Sequence, residues 1–95
     1  MAYQINLTKE VLKEDLPKLK KSGLNLEILY KKLSKLQTNP YINSKAKSGD
    51  LSGIRALNWG SGYRIVLEID EINKQVNIIS IDKHDDAYRK AKKRV

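Results

Sequence analysis

The hydrophobic pattern begins with alternation and then changes to helical spacing. Residues 3–7 alternate apolar and polar side chains, which is the period of a half-buried strand. Leucines then recur on one helix face, with Thr8 as the predicted N-cap. Pro17 lacks an amide hydrogen, so we expect a kink or a helix restart near Asp15. Gly23 is expected to end this first helix.

A second helix is predicted after Asn25, which is placed to cap it. Its apolar stripe is Leu26, Leu29, Tyr30, Leu33 and Leu36. Its other face carries Lys31, Lys32 and Lys35. Because the connection is short, we expect a helical hairpin. Residues 38–50 contain proline, glycine, asparagine and serine and are predicted to form a loop.

Two strand-like runs flank a glycine-rich turn, and the length of that turn sets their register. A three-residue loop would pair Trp59 with Tyr63 and place Arg55 and Arg64 on opposite faces. A four-residue loop would pair Asn58 with Tyr63 and place both arginines on one face. The second choice gathers most apolar residues on the other face, so the pattern favours it. The hairpin of helices then covers the apolar face, with Ile65 and Leu67 towards it, and leaves the arginines open.

The chain ends with a strand and a basic helix. Residues 75–81 are apolar enough to be buried on both faces, and a turn at 71–74 precedes them. A helix is predicted from near Asp82, with acidic residues in its first turn and basic ones in its last. The expected fold is α+β, in the order β-α-α-β-β-β-α. It has a mainly antiparallel sheet, a helical hairpin on one face and one domain over residues 1–95.

The charge of the chain narrows the class of partner. Nineteen basic and eleven acidic residues give a net charge of +8, which favours a polyanion or an acidic protein. No cysteine is present, so disulfides and thiolate metal sites are excluded, and a single histidine makes a catalytic zinc site a poor hypothesis. No cofactor is expected. The N-terminus lacks the apolar region of a signal peptide, and no run is long enough to span a membrane, so we expect a cytoplasmic protein.

The residues of the C-terminal half suit the metal-independent cutting of RNA. The 2′-hydroxyl can attack the adjacent phosphorus if its proton is removed, the phosphoryl charge is stabilised and the 5′-oxygen receives a proton. Arginine binds phosphate oxygens and stays charged, and histidine titrates near neutrality. His84 and Tyr88 are four residues apart and therefore share a helix face.

Each of these residues also has an ordinary structural explanation. Arg64 could pair with Glu68, and Arg55 could be a surface arginine of a strand. His84 could be a helix-end residue, and Tyr88 could only pack its helix onto the sheet. Their convergence on one face is the basis of the functional hypothesis. Lysines of the predicted loop, Lys45 and Lys47, could contact phosphate or could simply be solvated.

Three motifs give the chain a resemblance to a known family. They are Leu51-Ser52-Gly53, the run G-Y-R-I-V at residues 62–66, and a late tyrosine, Tyr88. With the predicted order of elements, they resemble the RelE/ParE superfamily of bacterial type II toxin–antitoxin toxins over nearly the whole chain. Residues 20–26 and the run H-D-D-A-Y at residues 84–88 also resemble the YafQ branch.

This resemblance implies a toxin that inhibits translation by cleaving mRNA at the ribosome, an mRNA interferase. By position, Arg64 and Arg55 would contact the scissile phosphate, His84 would transfer a proton and Tyr88 would orient the nucleotide. Lys45, Lys47 and Lys83 would hold flanking phosphates. Leu57 and Asn58 depart from the family, because RelE has a lysine and YafQ a histidine at these positions.

The resemblance also implies a partner, an acidic antitoxin that forms a hetero-oligomer with the toxin. Two other functions remain open at this stage. One is a ParE-like toxin that inhibits gyrase without nuclease activity, against which His84 and the two arginines argue. The other is a non-catalytic module that binds nucleic acid, whose binding would depend steeply on salt.

Overall fold

The computed structural model describes residues 2–47 and 53–94. Its elements in chain order are β1 (Gln4–Leu7), a π-helical segment (Val11–Asp15), α1 (Leu16–Lys21), α2 (Leu26–Thr38), β2 (Lys45–Ala46), β3 (Arg55–Trp59), β4 (Tyr63–Asp70), β5 (Gln75–Lys83) and α3 (His84–Arg94). The predicted α+β class and order are confirmed, with one addition, the short strand β2 inside the predicted loop. Of the first family motif, Leu51 and Ser52 lie outside the described residues.

The five strands form one sheet in the order β1-β5-β4-β3-β2. β1 runs parallel to β5, and the other neighbours are antiparallel, as predicted for a mainly antiparallel sheet. β5 lies between two strands, and its side chains from Val76 to Asp82 are mostly buried. This strand continues two residues beyond the predicted boundary, to Lys83, so the last helix begins at His84 rather than near Asp82.

The first helix restarts where proline requires it. The chain is π-helical over Val11–Asp15 and becomes α-helical at Leu16, with Pro17 in the first turn, where a missing amide hydrogen costs little. Thr8 occupies the predicted N-cap position, because the helix begins at Lys9 and the carbonyl of Thr8 accepts from the amide of Leu12 at 3.0 Å. Its hydroxyl, however, donates to the carbonyl of Ile78 on β5 at 2.8 Å, because β1 ends beside that residue.

α2 follows the predicted pattern closely. The side chain of Asn25 accepts a hydrogen bond from the amide of Glu27 at 3.0 Å, which caps the helix. Three leucines of the stripe are buried, namely Leu29, Leu33 and Leu36. Tyr30 was predicted to belong to the buried stripe, but it is 49% exposed, because it lies at the margin of the face that meets the sheet.

The predicted register of the central hairpin is wrong. Trp59 pairs with Tyr63, and Asn58 pairs with Arg64, so the loop has three residues. Gly60 and Gly62 have φ values of 57° and 81°, conformations that favour glycine and let so short a loop close. Arg55 and Arg64 therefore lie on opposite faces of the sheet, not on one.

The register was mispredicted because both faces of the sheet are covered. One face packs on the helical hairpin and contains Ile65 and Leu67, as predicted. The other packs on α3 through a second buried cluster, made of Ile54, Val66, Ile79, Ala87 and Ala91. When both sides of a strand are apolar, the alternation of apolar and polar residues does not show which face is buried, so it cannot set the register.

Within the described part of the chain, no helix combines the length and the apolar character needed to cross a membrane.

Candidate functional site

The candidate site lies where α3 crosses the sheet, and buried ion pairs fix the position of that helix. Asp15, which is fully buried, accepts hydrogen bonds from Lys90 at 3.0 Å and from Arg94 at 2.9 and 3.1 Å. It also accepts from the amide of Ile81 at 2.8 Å. β1 pairs with β5 only as far as Ile78, so it provides no acceptor for the amide of Ile81. The carboxylate of Asp15 provides that acceptor instead.

A second buried carboxylate, Asp82, completes this cluster. It accepts from Lys90 at 2.7 Å and from Lys18 at 3.0 Å. Burial would raise the pKa of Asp82, but the hydrogen bonds from Lys90 and Lys18 outweigh it and lower that pKa to about 2. The cluster thus joins the first helix, β5 and α3 by charge.

His84 is exposed at the start of α3, whereas Tyr88 is half-buried and packs against the apolar cluster between α3 and the sheet. The two side chains meet, as their spacing predicted. Their ring centroids are 4.9 Å apart in an edge-to-face arrangement. The ammonium group of Lys47 lies 5.1 Å from the centroid of the Tyr88 ring, which is a cation–π distance. The hydroxyl of Tyr88 is buried and has no hydrogen-bond partner among the described residues. Tyr88 therefore holds His84 and Lys47 through its ring.

The imidazole of His84 has a defined orientation. Its backbone amide donates to the carbonyl of Gly62 at 3.0 Å, which ties the start of α3 to the hairpin turn. Its Nδ1 lies 2.8 Å from a carboxylate oxygen of Asp85. An ionised carboxylate can only accept, so Nδ1 is the donor of this hydrogen bond, and in the neutral imidazole Nε2 is then the acceptor. His84 is 53% exposed, so Nε2 is accessible to a substrate.

Arg64 lies on the face of the sheet that α3 covers. Its register partners are Asn58 on β3 and Asp82 on β5. Two positions further towards the hairpin turn, the amide of His84 donates to the carbonyl of Gly62. Among the described residues its guanidinium makes one hydrogen bond, to the carbonyl of Tyr63 at 2.9 Å. No ion pair with Glu68 forms within the described residues, so most donors of this guanidinium are left for a ligand.

Arg55 is occupied on the other face. Its Nε donates to the hydroxyl of Ser44 at 2.7 Å, and one terminal nitrogen donates to the carbonyls of Tyr41 and Ser44 at 3.0 and 2.9 Å. Its guanidinium also lies 5.3 Å from the Tyr41 ring centroid. These contacts fasten the loop before β2, and the structure does not bring Arg55 to Arg64.

The two remaining predicted lysines lie in different places. Lys45, on β2, is exposed and lines a groove that also contains Lys47 and Tyr88. Lys83 pairs with Tyr63, so its register position belongs to the hairpin-covered face rather than to that of Arg64. The structure therefore brings His84, Tyr88 and Lys47 into contact, with Lys45 nearby. It places Arg64 on the sheet face that α3 covers, opposite Asp82, and Arg55 and Lys83 on the other face.

Sequence reasoning missed the residues that orient this group. Asp85 follows His84 directly, so the His-Asp pair was a readable signal. The chosen register pairs Asn58 with Tyr63, whereas in the structure it pairs with Arg64. Asp15 and Asp82 gave no local signal, because their partners are up to 79 residues away.

Solved structures place this fold among known proteins. No family model and no curated protein matches the sequence. Solved structures do match. A variant of the toxin RelE from Escherichia coli is 27% identical, with a TM-score of 0.73, and the match covers 100% of this chain and 99% of that one.

Two further structures are toxin–antitoxin complexes. The RelBE2 complex of Mycobacterium tuberculosis matches at 23% identity and a TM-score of 0.67, over 88% of this chain and 100% of that one. The YoeB–YefM complex of Staphylococcus aureus matches at 17% identity and a TM-score of 0.60, over 88% and 99%. At these identities the two likenesses concern the fold, which is that of the RelE-type toxins.

The likeness to E. coli RelE extends over the entire chain at a higher identity. This match supports the RelE-type toxin superfamily, which the motifs of the sequence suggested.

Proposed function

We propose that this toxin cleaves mRNA at the ribosome and is neutralised by an antitoxin. The observation that supports cleavage is the contact of Tyr88 with His84 and Lys47 beside the sheet face that carries Arg64. These residues provide an ammonium group, an exposed imidazole and a guanidinium that makes one hydrogen bond among the described residues. RNA cleavage without a metal requires a group that transfers a proton and cationic groups that stabilise the phosphoryl charge, and these side chains provide both.

In the proposed reaction the substrate supplies its own nucleophile. Nε2 of His84 takes the proton of the 2′-hydroxyl, whose oxygen attacks the adjacent phosphorus. The bond from phosphorus to the 5′-oxygen breaks, water protonates that oxygen, and a 2′,3′-cyclic phosphate remains. Arg64 stabilises the charge that grows on the phosphoryl oxygens. Asp85 keeps the hydrogen on Nδ1, and because this pair is exposed we expect its contribution to be small.

The proposed site differs from the sequence hypothesis in two positions. Arg55 makes no phosphate contact in this proposal, because it lies on the opposite face and holds the loop before β2. Lys83 also makes no phosphate contact in this proposal, because its register position lies on the hairpin-covered face. Lys47 and Lys45 take the flanking phosphates.

The partner in this proposal is an antitoxin. E. coli RelE is also matched in a complex with an antitoxin RelBc peptide, at 27% identity. The net charge of +8 favours an acidic partner, and association should slow as salt rises. Action on translating ribosomes would place the protein in the cytoplasm.

Translation of a reporter mRNA in a purified system, followed by mapping of the RNA ends, tests the proposed function. We expect 2′,3′-cyclic phosphate and 5′-hydroxyl ends with the wild-type protein. His84→Gln should keep binding and reduce single-turnover cleavage by about 10²–10⁴-fold, the usual value of general acid–base help. Asp86→Asn, on the same helix turn but not in the site, is the control. Uncut RNA together with loss of DNA supercoiling by gyrase would instead indicate the ParE-like function.

A further inference from the structure

We propose that Lys18 and Lys90 keep the carboxylate of Asp82 away from Arg64, which leaves the guanidinium of Arg64 available to a phosphate group. In this assignment the two lysines are positioning residues, because they act on Arg64 through Asp82. The inference rests on the proposed function, in which Arg64 stabilises the phosphoryl charge.

Arg64 and Asp82 are placed to form an ion pair with each other. They are register partners on the antiparallel strands β4 and β5, so their side chains leave the same face of the sheet. The Cβ atoms of residues paired in this way are about 4.5–5.5 Å apart, and opposite charges at such positions attract. Asp82 is only 2% exposed, and a buried carboxylate requires compensating charge. From the two strands alone, a pair between Arg64 and Asp82 is therefore expected.

The structure contains a different arrangement. Among the described residues, Arg64 and Asp82 form no ion pair, and the guanidinium donates only to a backbone carbonyl of its own strand. Both oxygens of Asp82 have other donors. Oδ2 accepts from Lys18 at 3.0 Å and from Lys90 at 2.7 Å, and Oδ1 accepts from the amide of Lys83 at 2.8 Å. The charge of Asp82 is thus compensated without Arg64.

The two lysines reach Asp82 from different elements. β1 pairs with β5 only as far as Ile78, so it gives Asp82 no neighbour on that side. Lys18 comes from α1 and is 55% exposed, so it covers Asp82 from the solvent. Lys90 comes from α3 and is shared with Asp15, from which it lies 3.0 Å away.

The balance of charge in this cluster predicts the effect of removing Lys18. Three cations, Lys18, Lys90 and Arg94, contact the two buried carboxylates of Asp15 and Asp82. Without Lys18 two cations remain, and one of them is shared. Asp82 then has an unused lone pair opposite a guanidinium with free donors, so we expect the two to pair. A phosphate must then compete with this pair, which lowers its affinity by up to about fivefold.

The state of the Arg64 guanidinium in the free protein is the first test. Lys18→Met keeps an unbranched side chain and removes the charge, and because Lys18 is half-exposed the variant should fold. The readout is the exchange with water of the hydrogen on Nε of Arg64, followed by NMR and assigned by its loss in Arg64→Lys. We expect rapid exchange in the wild type and slower exchange in Lys18→Met, where the guanidinium pairs with a buried carboxylate.

The affinity for a single-stranded RNA with deoxyribose at the cut position is the second test. Lys18→Met should weaken binding by about two- to fivefold. Lys21→Met removes the same charge from the end of the same helix and should keep wild-type exchange and nearly wild-type affinity. Adding Asp82→Asn to Lys18→Met should restore both readouts, because asparagine has no charge to attract Arg64. Lys18→Arg, which leaves the buried carboxylate untouched, should also behave as the wild type.

Unchanged exchange of Arg64 in Lys18→Met would overturn the proposal. Equal losses of affinity in Lys18→Met and Lys21→Met would also overturn it, because net charge alone would then explain them. A loss that Asp82→Asn does not restore would do the same, because Lys18 would then act on the RNA directly. Failure of the proposed function has a different signature, in which Arg64 responds to these changes as expected but the wild type never cuts ribosomal mRNA.

Discussion

Replacing Asp15 with alanine should destabilise this protein more than any change on its surface. Asp15 is fully buried, and it accepts hydrogen bonds from Lys90, from Arg94 and from the amide of Ile81. In Asp15→Ala the buried amide has no acceptor, and Arg94, whose side chain is only 11% exposed, loses its closest negative charge. Lys90 keeps Asp82 as a partner.

The size of the effect follows from these contacts. An unsatisfied buried donor costs about 1–3 kcal/mol, and removing one partner of a buried ion pair costs about 3–5 kcal/mol in total. Because Lys90 and Arg94 can move towards water, we expect a loss of about 3–4 kcal/mol. A chain of this length has a free energy of unfolding of roughly 5–14 kcal/mol. The variant should therefore lose about a fifth of its stability or more.

Urea denaturation followed by circular dichroism measures this loss, with the slope m checked for constancy. Glu14→Ala is the control, because Glu14 is adjacent, 64% exposed and 3.9 Å from Arg94. It should cost no more than about 0.5 kcal/mol. Asp15→Asn, which keeps an acceptor for the Ile81 amide but loses the charge, should fall between the two. A loss below about 1 kcal/mol for Asp15→Ala would refute this account of how α3 is held.

Three further predictions concern other parts of the molecule. The pKa of Asp82 is lowered to about 2 from 3.8, so it contributes about 2 kcal/mol above pH 4 that is lost as pH falls through 2. Asp82→Asn should flatten the pH dependence of the urea midpoint between pH 4 and 2. Tyr88→Phe removes a buried hydroxyl that has no hydrogen-bond partner among the described residues, so it should leave stability and cleavage unchanged. Tyr88→Ala should reduce cleavage. A large loss of cleavage in Tyr88→Phe would show that the hydroxyl acts in catalysis. Arg55→Lys cannot replace the forked contacts to the loop and should speed proteolysis near Ser44 and weaken RNA binding, while His84-dependent chemistry at saturating RNA persists.

The sequence predicted those elements whose pattern is local. α2 has a capping residue, leucines at helical spacing and a glycine before it, and each signal concerns neighbours within a few residues. The contact between His84 and Tyr88 was predictable for the same reason, because four residues on a helix fix it.

The register of the hairpin was not predictable in this way. Leu57 and Val66 are both apolar, yet they lie on opposite faces, since helices cover both sides of the sheet. Assigning the register from alternating apolar and polar residues assumes that one face of the sheet is exposed to solvent. Here that assumption fails, and it gives the incorrect prediction that Arg55 and Arg64 share a face. Asp15 illustrates a second limit, because an acidic residue in a helix gives no sign of an arginine 79 residues later.

The pairing of β1 with β5 has a consequence for biosynthesis. β1 reaches its partner across 71 residues, as the bond from Asn6 to Asn77 shows, and the ion pairs of Asp15 reach residue 94. Contacts between residues so distant in sequence form late, because closing the long loop between them costs conformational entropy. A nascent chain on the ribosome can form the helical hairpin early, but it cannot complete the sheet until residues 75–83 have emerged. It cannot lock α3 before residue 94. The candidate site therefore assembles at the end of synthesis, so we expect truncated translation products of this chain to be inactive.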